Sequence, residues 1–187
     1  MKLASPSYPL THAYPLKKIP EYLLYKGIQK NSRFSYEIFN IGSTKTQSQL
    51  GQMVCHKSNI SLRKNYNGPI LIIDFITTKI HDKGYGSILL NFAKQYSKKI
   101  GCNGYIVLKA DSSFTPKRIP HLFYRKQGFS SFDPITDRKM DRFIRKNKNA
   151  TYKDFMATIM HYPPNPPKTN IFKKTITNIR NYLKNRK

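Results

Sequence analysis

Acidic residues are scarce, 9 in 187, and cysteine occurs only twice. Cys55 and Cys102 are too few for a disulfide framework or a thiolate metal cluster. The chain is therefore expected to be held by core packing, with no metal, in a reducing compartment such as the cytoplasm. One thiol falls in an expected strand and the other in a helix-to-strand turn, where small buried thiols are common. No run approaches the roughly twenty apolar residues of a membrane helix. No charged stretch followed by an apolar one opens the chain, so no signal peptide is expected. The shortage of acids matters most: against 34 Lys and Arg it leaves a net charge of +25. Such a surface attracts and steers polyanions. Nucleic acid, ribosome, anionic membrane and a phosphorylated ligand all fit, and a generally Lys- and Asn-rich composition is a further source of the charge.

What is present suits one domain with an appendage. Residues 1–20 carry Pro6, Pro9, Pro15 and Pro20 and read as an extended arm; within residues 21–30 a short helix is expected before Gly27. Strands are expected at 34–41, 51–56 and, most clearly, at 69–78, which is rich in β-branched and aromatic residues. Residues 42–49 read as a polar loop, and 60–68 as a polar, basic turn region with room for a further strand piece. After residue 86, Ile88, Leu89, Phe92, Ala93, Tyr96 and Ile100 recur at helical spacing, with Lys94, Gln95, Lys98 and Lys99 on the other face. A second apolar strand at 104–110 completes a strand–helix–strand unit, expected to be a parallel pair with a right-handed crossover. Pro120 suits a first helical turn and Gly128 a helix stop, with a short helix at 121–127 between them. Strands at 129–132 and 155–162 flank a charged surface helix at 137–149. A proline cluster at 163–167 reads as a stiff linker. Beyond it Ile171, Phe172, Ile176, Ile179 and Leu183 can share one face of a basic helix, suited to RNA, to membrane, or to docking on the body. The expected domains are thus an arm (1–20), a body (21–162), and a linker with a basic helix (163–187). No internal repeat is visible.

Between the central strand and its helix lies His81-Asp82-Lys83-Gly84-Tyr85-Gly86-Ser87. Glycines at a helix mouth leave the first-turn N–H groups unobstructed, and the helix dipole adds partial positive charge there. Such a turn seats a phosphate or simply reverses the chain.

Together these residues resemble the GNAT acyltransferase superfamily. Its pyrophosphate loop, Arg/Gln-x-x-Gly-x-Gly/Ala, corresponds to residues 81–86, with His81 at the Arg/Gln position. Its tyrosine in a short helix ending in Gly-Phe corresponds to Leu122-Phe123-Tyr124 and Gly128-Phe129. The asparagine commonly ahead of that tyrosine is missing from residues 111–120. The element order matches over residues 34–162 and the specific motifs over 71–129. The resemblance implies a mixed α/β, mostly antiparallel sheet with a central splayed parallel strand pair flanked by helices. It implies an N-acetyltransferase that moves an acetyl group from acetyl-CoA directly to an amine. Lys83, Gly84, Tyr85, Gly86 and Ser87 would hold the pyrophosphate, and Ile76, Thr77 and Thr78 would pair with the pantetheine amides. Tyr124 would protonate the departing thiolate. For the amine's proton, Glu37, Asp74, Asp111, His121, an ordered water or an already neutral amine all remain open. The acceptor is a free amine or one carried on tRNA, ribosome or another polyanion. The alternative is a non-catalytic nucleic-acid- or ribosome-binding protein on the same scaffold.

Overall fold

A computed structural model describes residues 12–15, 22–30, 35–43, 49–59, 68–113, 119–147 and 150–163. In chain order its elements are β1 (His12–Pro15), β2 (Tyr22–Lys30), β3 (Ser35–Ser43), β4 (Gln49–Ser58), β5 (Ile70–Thr78), α1 (Tyr85–Lys99), β6 (Ile106–Ala110), α2 (Pro120–Lys126), β7 (Ser130–Ser131), α3 (Pro134–Arg145) and β8 (Thr158–Tyr162). A single 3-10 turn, Tyr152–Asp154, precedes β8. The strands form one sheet in the order β1-β2-β3-β4-β5-β6-β8-β7. Only β5 and β6 are parallel, joined by α1 as the strand–helix–strand pattern requires. This is the mixed, mostly antiparallel architecture with a central parallel pair that the resemblance implies.

One expectation fails. Residues 22–30 are not helical; they form β2, paired along its length with β3 from Tyr22↔Ser43 to Lys30↔Ser35. A helix stopped at Gly27 is too short to be stable by itself, whereas β3 pairs the whole of residues 22–30 and β1 adds a second neighbour at Leu23–Lys26. Residues 12–15, within the expected arm, supply the outer neighbour β1. Leu24, Lys26 and Ile28 then alternate onto one face, and Lys26 Nζ reaches Glu37 Oε1 at 2.6 Å. The charged helix begins earlier than expected, at Pro134. Asp133 caps it, accepting from the Ile135 and Thr136 N–H groups at 3.0 Å each. The expected loop at 60–67, the linker from residue 164 and the basic C-terminal helix lie outside the described residues.

The main core lies between the sheet and the three helices. Phe39, Met53, Leu71, Ile73, Ile106, Leu108 and Met160 meet Leu89, Leu90 and Ala93 of α1, Tyr124 of α2 and Met140 of α3. Strand alternation puts Ile70, Tyr105 and Val107 in a small cluster on the opposite face. Cys55 and Cys102 are both buried free thiols, and burial raises the pKa of each above its ordinary value. Neither has the thiolate character of a reactive cysteine.

Two features of β5 position the site. Its parallel pairing with β6 covers only three residues, Leu71↔Ile106, Ile72↔Val107 and Ile73↔Leu108. The next residue, Asp74, is skipped by the register with β4, where Cys55↔Ile73 is followed by Val54↔Phe75. An extra residue bends a strand and increases its twist. β5 therefore leaves β6 at Asp74, stays with β4 to Thr78, and carries the chain to the mouth of α1 along a separate line.

Candidate active site at the strand split

The turn after β5 has the properties its glycines promise. Gly84 is the N-cap of α1 in the left-handed conformation, φ 79°, and a Cβ built there would meet nothing within 4 Å. No side chain caps α1, and its first turn contains no acid. The first N–H groups of a helix have no partner within the helix. Within the helix, the Ile88 N–H donates to the Gly84 carbonyl at 3.0 Å. Lys83 is exposed beside this cradle, while Tyr85 turns its ring into the core and leaves only its main chain on the turn. Ser87 Oγ accepts from Gln127 Nε2 at 3.1 Å, so its hydroxyl is tied to the end of α2. His81 Nδ1 stands 3.5 Å from Thr78 Oγ1.

Gly86 does a different job. A Cβ there would lie 3.0 Å from Cζ of Phe123, so the bare backbone is what lets α2 close on α1. Lys94 reinforces the contact, donating to the Gln127 carbonyl at 2.8 Å. The residue after Phe123 is Tyr124. The fold thus brings together the two motifs that the sequence separates by almost forty positions, and it does so through residues adjacent to the phenol. Ile76, Thr77 and Thr78, half-buried, pair with Met53, Gln52 and Gly51 of β4. A cleft of about 140 Å³ lies across these strand ends, lined by Gly51, Gln52, Thr77, Thr78 and Lys79 among others.

Tyr124 is 6% exposed, its ring centroid 5.3 Å from that of Phe123 and 6.0 Å from that of Phe129. Burial raises the phenol's pKa well above its ordinary value, so it stays protonated across the neutral range. The α2 stop is the expected one: Gly128 is left-handed at φ 86°, and the Phe129 N–H donates back to the Tyr124 carbonyl at 3.0 Å.

The four candidate bases separate clearly. Glu37 is occupied by Lys26 and the Tyr96 hydroxyl. Asp111 accepts from the N–H and hydroxyl of Ser113 at 2.9 and 2.6 Å and pairs with Lys109. His121 is fully buried, donating through Nε2 to the Met156 carbonyl at 2.9 Å and stacking on Phe155. Asp74 alone stands at the split, its Oδ2 held 2.7 Å from His56 Nδ1. His56 has no motif to mark it. An aspartate inside an apolar run was the available signal, but the partner depends on strand register across a bulge.

His121 gives the fold an acid sensitivity. Its Nδ1 has no hydrogen-bond partner among the described residues, and burial lowers its pKa below the ordinary value. On acidification the unfolded chain takes up this proton first, so stability present above about pH 6.5 is lost as pH falls. The melting temperature should drop between about pH 7 and pH 5. His121→Phe, which keeps the stack on Phe155, should flatten that drop in a circular-dichroism melt; an unchanged profile would assign the sensitivity elsewhere.

No family model and no curated protein matches the chain. Among solved structures, NAA60 of Arabidopsis thaliana in complex with a bisubstrate analogue is similar with a TM-score of 0.42 at 13% identity, over 52% of this chain and 63% of that one. The match therefore spans less than two thirds of that protein. NAA60 in complex with acetyl-CoA gives 0.44 at 12% identity, over 68% and 75% of the two chains. A mutant of the toxin AtaT, bound to the C-terminus of the antitoxin AtaR and acetyl-CoA, gives 0.40 at 15% identity, over 69% and 67%. Among the described residues no helix is long and apolar enough to cross a membrane. Nor do they contain a group of three or more His, Cys, Asp or Glu able to hold a metal ion.

Proposed function

We propose that this chain is a GNAT-type N-acyltransferase that moves an acetyl group from acetyl-CoA to an amine. The observation that carries the proposal is the split of β5 from β6 at Asp74, which leads directly into an uncapped, glycine-lined helix mouth. Main-chain N–H groups of residues 83–87 would hold the pyrophosphate, with Lys83 adding charge. The end of β5, Ile76 to Thr78, would pair with the pantetheine amides as an added strand does. The cleft of about 140 Å³ across the strand ends of β4 and β5 is smaller than the roughly 300–1,000 Å³ of ordinary ligand pockets, so it would take only part of such a ligand.

Direct transfer needs an acceptor for the amine proton and a donor for the leaving sulfur. In this reading Asp74, fixed by His56, accepts the first. Tyr124, kept protonated by burial, donates the second. The amine attacks the thioester carbonyl, the carbon–sulfur bond breaks, and the thiolate takes the phenolic proton. Isothermal titration of the full chain with coenzyme A tests the reading at its base. Saturable one-site binding that is lost in Lys83→Glu is expected, and no measurable binding would remove the proposal. Mass spectrometry of reactions with acetyl-CoA and a panel of amines, basic peptides and aminoacylated RNA then identifies the acceptor.

A further inference from the structure

Arg138, Arg142 and Arg145 of α3 follow one another at helical spacing and form a single stripe about 10 Å long. All three are exposed, and with Asp141 and Ile144 they line a surface cleft of about 490 Å³. The acids of this helix are already engaged. Asp141 accepts from Arg125 Nε and Nη2 at 2.8 Å each. Asp137 accepts from Arg125 Nη1 at 3.3 Å and from the Ser131 N–H at 2.7 Å, and Asp133 caps the helix. Arg138 and Arg145 feel Asp133 and Asp141 only as longer-range charges, and no described residue forms a salt bridge with any of the three arginines. Arg125 thus neutralises α3 from the inside and leaves its outer stripe positive.

We infer that this stripe is a docking surface for a nucleic-acid strand, gripped through its phosphate backbone. Guanidinium forks match phosphate oxygens, and three of them in line fit a repeating phosphodiester better than a single phosphate. The net charge of +25 draws polyanions toward the chain from a distance. A lipid surface is the poorer match: the stripe offers one well-exposed aliphatic side chain, Ile135, where an interfacial helix presents a whole apolar face. Arg125, the residue after Tyr124, also ties α2 to α3 through Asp137 and Asp141. If the transferase reading holds, on which this last step rests, a strand bound here would bring an amine it carries within one helix of the phenol.

The test is fluorescence anisotropy of a short labelled single-stranded RNA, and of a DNA of the same sequence, across a potassium chloride series. The full chain is compared with the triple variant Arg138→Gln, Arg142→Gln, Arg145→Gln, which keeps helix-forming residues at each position. The triple variant should bind RNA at least about tenfold more weakly, with its log–log salt slope reduced by about two. The same difference should persist in chains ending at residue 163. Should the triple variant fold poorly, Arg142→Gln alone should reduce the slope by about 0.7. Unchanged affinity and slope would overturn the inference, as would tighter binding to phosphatidylserine–phosphatidylcholine vesicles than to RNA. Coenzyme A titration of the same proteins separates the two proposals, because its failure removes the transferase and leaves the RNA result standing.

Discussion

Tyr124→Phe should lower kcat by roughly 10²- to 10⁴-fold, the range for a lost general acid, while coenzyme A affinity changes little. The substitution removes one oxygen from a ring packed between Phe123 and Phe129, and no described residue is hydrogen-bonded to that oxygen. Folding should therefore be nearly unaffected, which separates a chemical role from a packing one. The pH profile is a second check. Burial raises the phenol's pKa, so the wild-type rate should not decline through tyrosine ionisation up to about pH 10. In Tyr124→Phe the residual rate should instead rise with improved leaving groups, since the thiolate must then depart unprotonated. A variant that turns over normally would show that solvent protonates the sulfur.

The second large effect is at Gly86. Gly86→Val would drive a branched side chain into Phe123, whose ring already stands 3.0 Å from the position of a Cβ. The overpacking should destabilise the chain by about 1–3 kcal/mol, read from denaturant melts. It should also move α2 off α1 and weaken coenzyme A binding by roughly tenfold to a hundredfold. Gly84 supplies the internal control. A side chain there meets open space, but φ is 79°, so Gly84→Ala adds about 1–2 kcal/mol of left-handed strain without displacing Phe123. If the two glycine variants behaved alike, the α1–α2 contact would not be what positions the phenol.

These two sites show how much the sequence could tell. The glycine turn, the amphipathic helix after it and the Phe123-Tyr124…Gly128-Phe129 segment were legible because their signals are local. A positive φ, a 3.6-residue period and a helix stop are each written within a few consecutive residues. The strand–helix–strand unit followed from the same local patterns. β2 escapes the local pattern because its identity is not local: residues 22–30 become a strand through pairing with β3 along their length and with β1 at Leu23–Lys26.

By itself, then, the sequence determined the basic charge, the elements around the central βαβ unit and the glycine cradle at the mouth of α1. Tertiary structure alone decided where the sheet opens, because a three-residue ladder and the bulge at Asp74 depend on register between strands distant in sequence. The same register places His56 against Asp74. Helix packing sets Gly86 on Phe123 and draws Arg125 across to Asp141. Strand register and helix docking are settled by which faces bury one another, and one-dimensional patterning leaves that choice open.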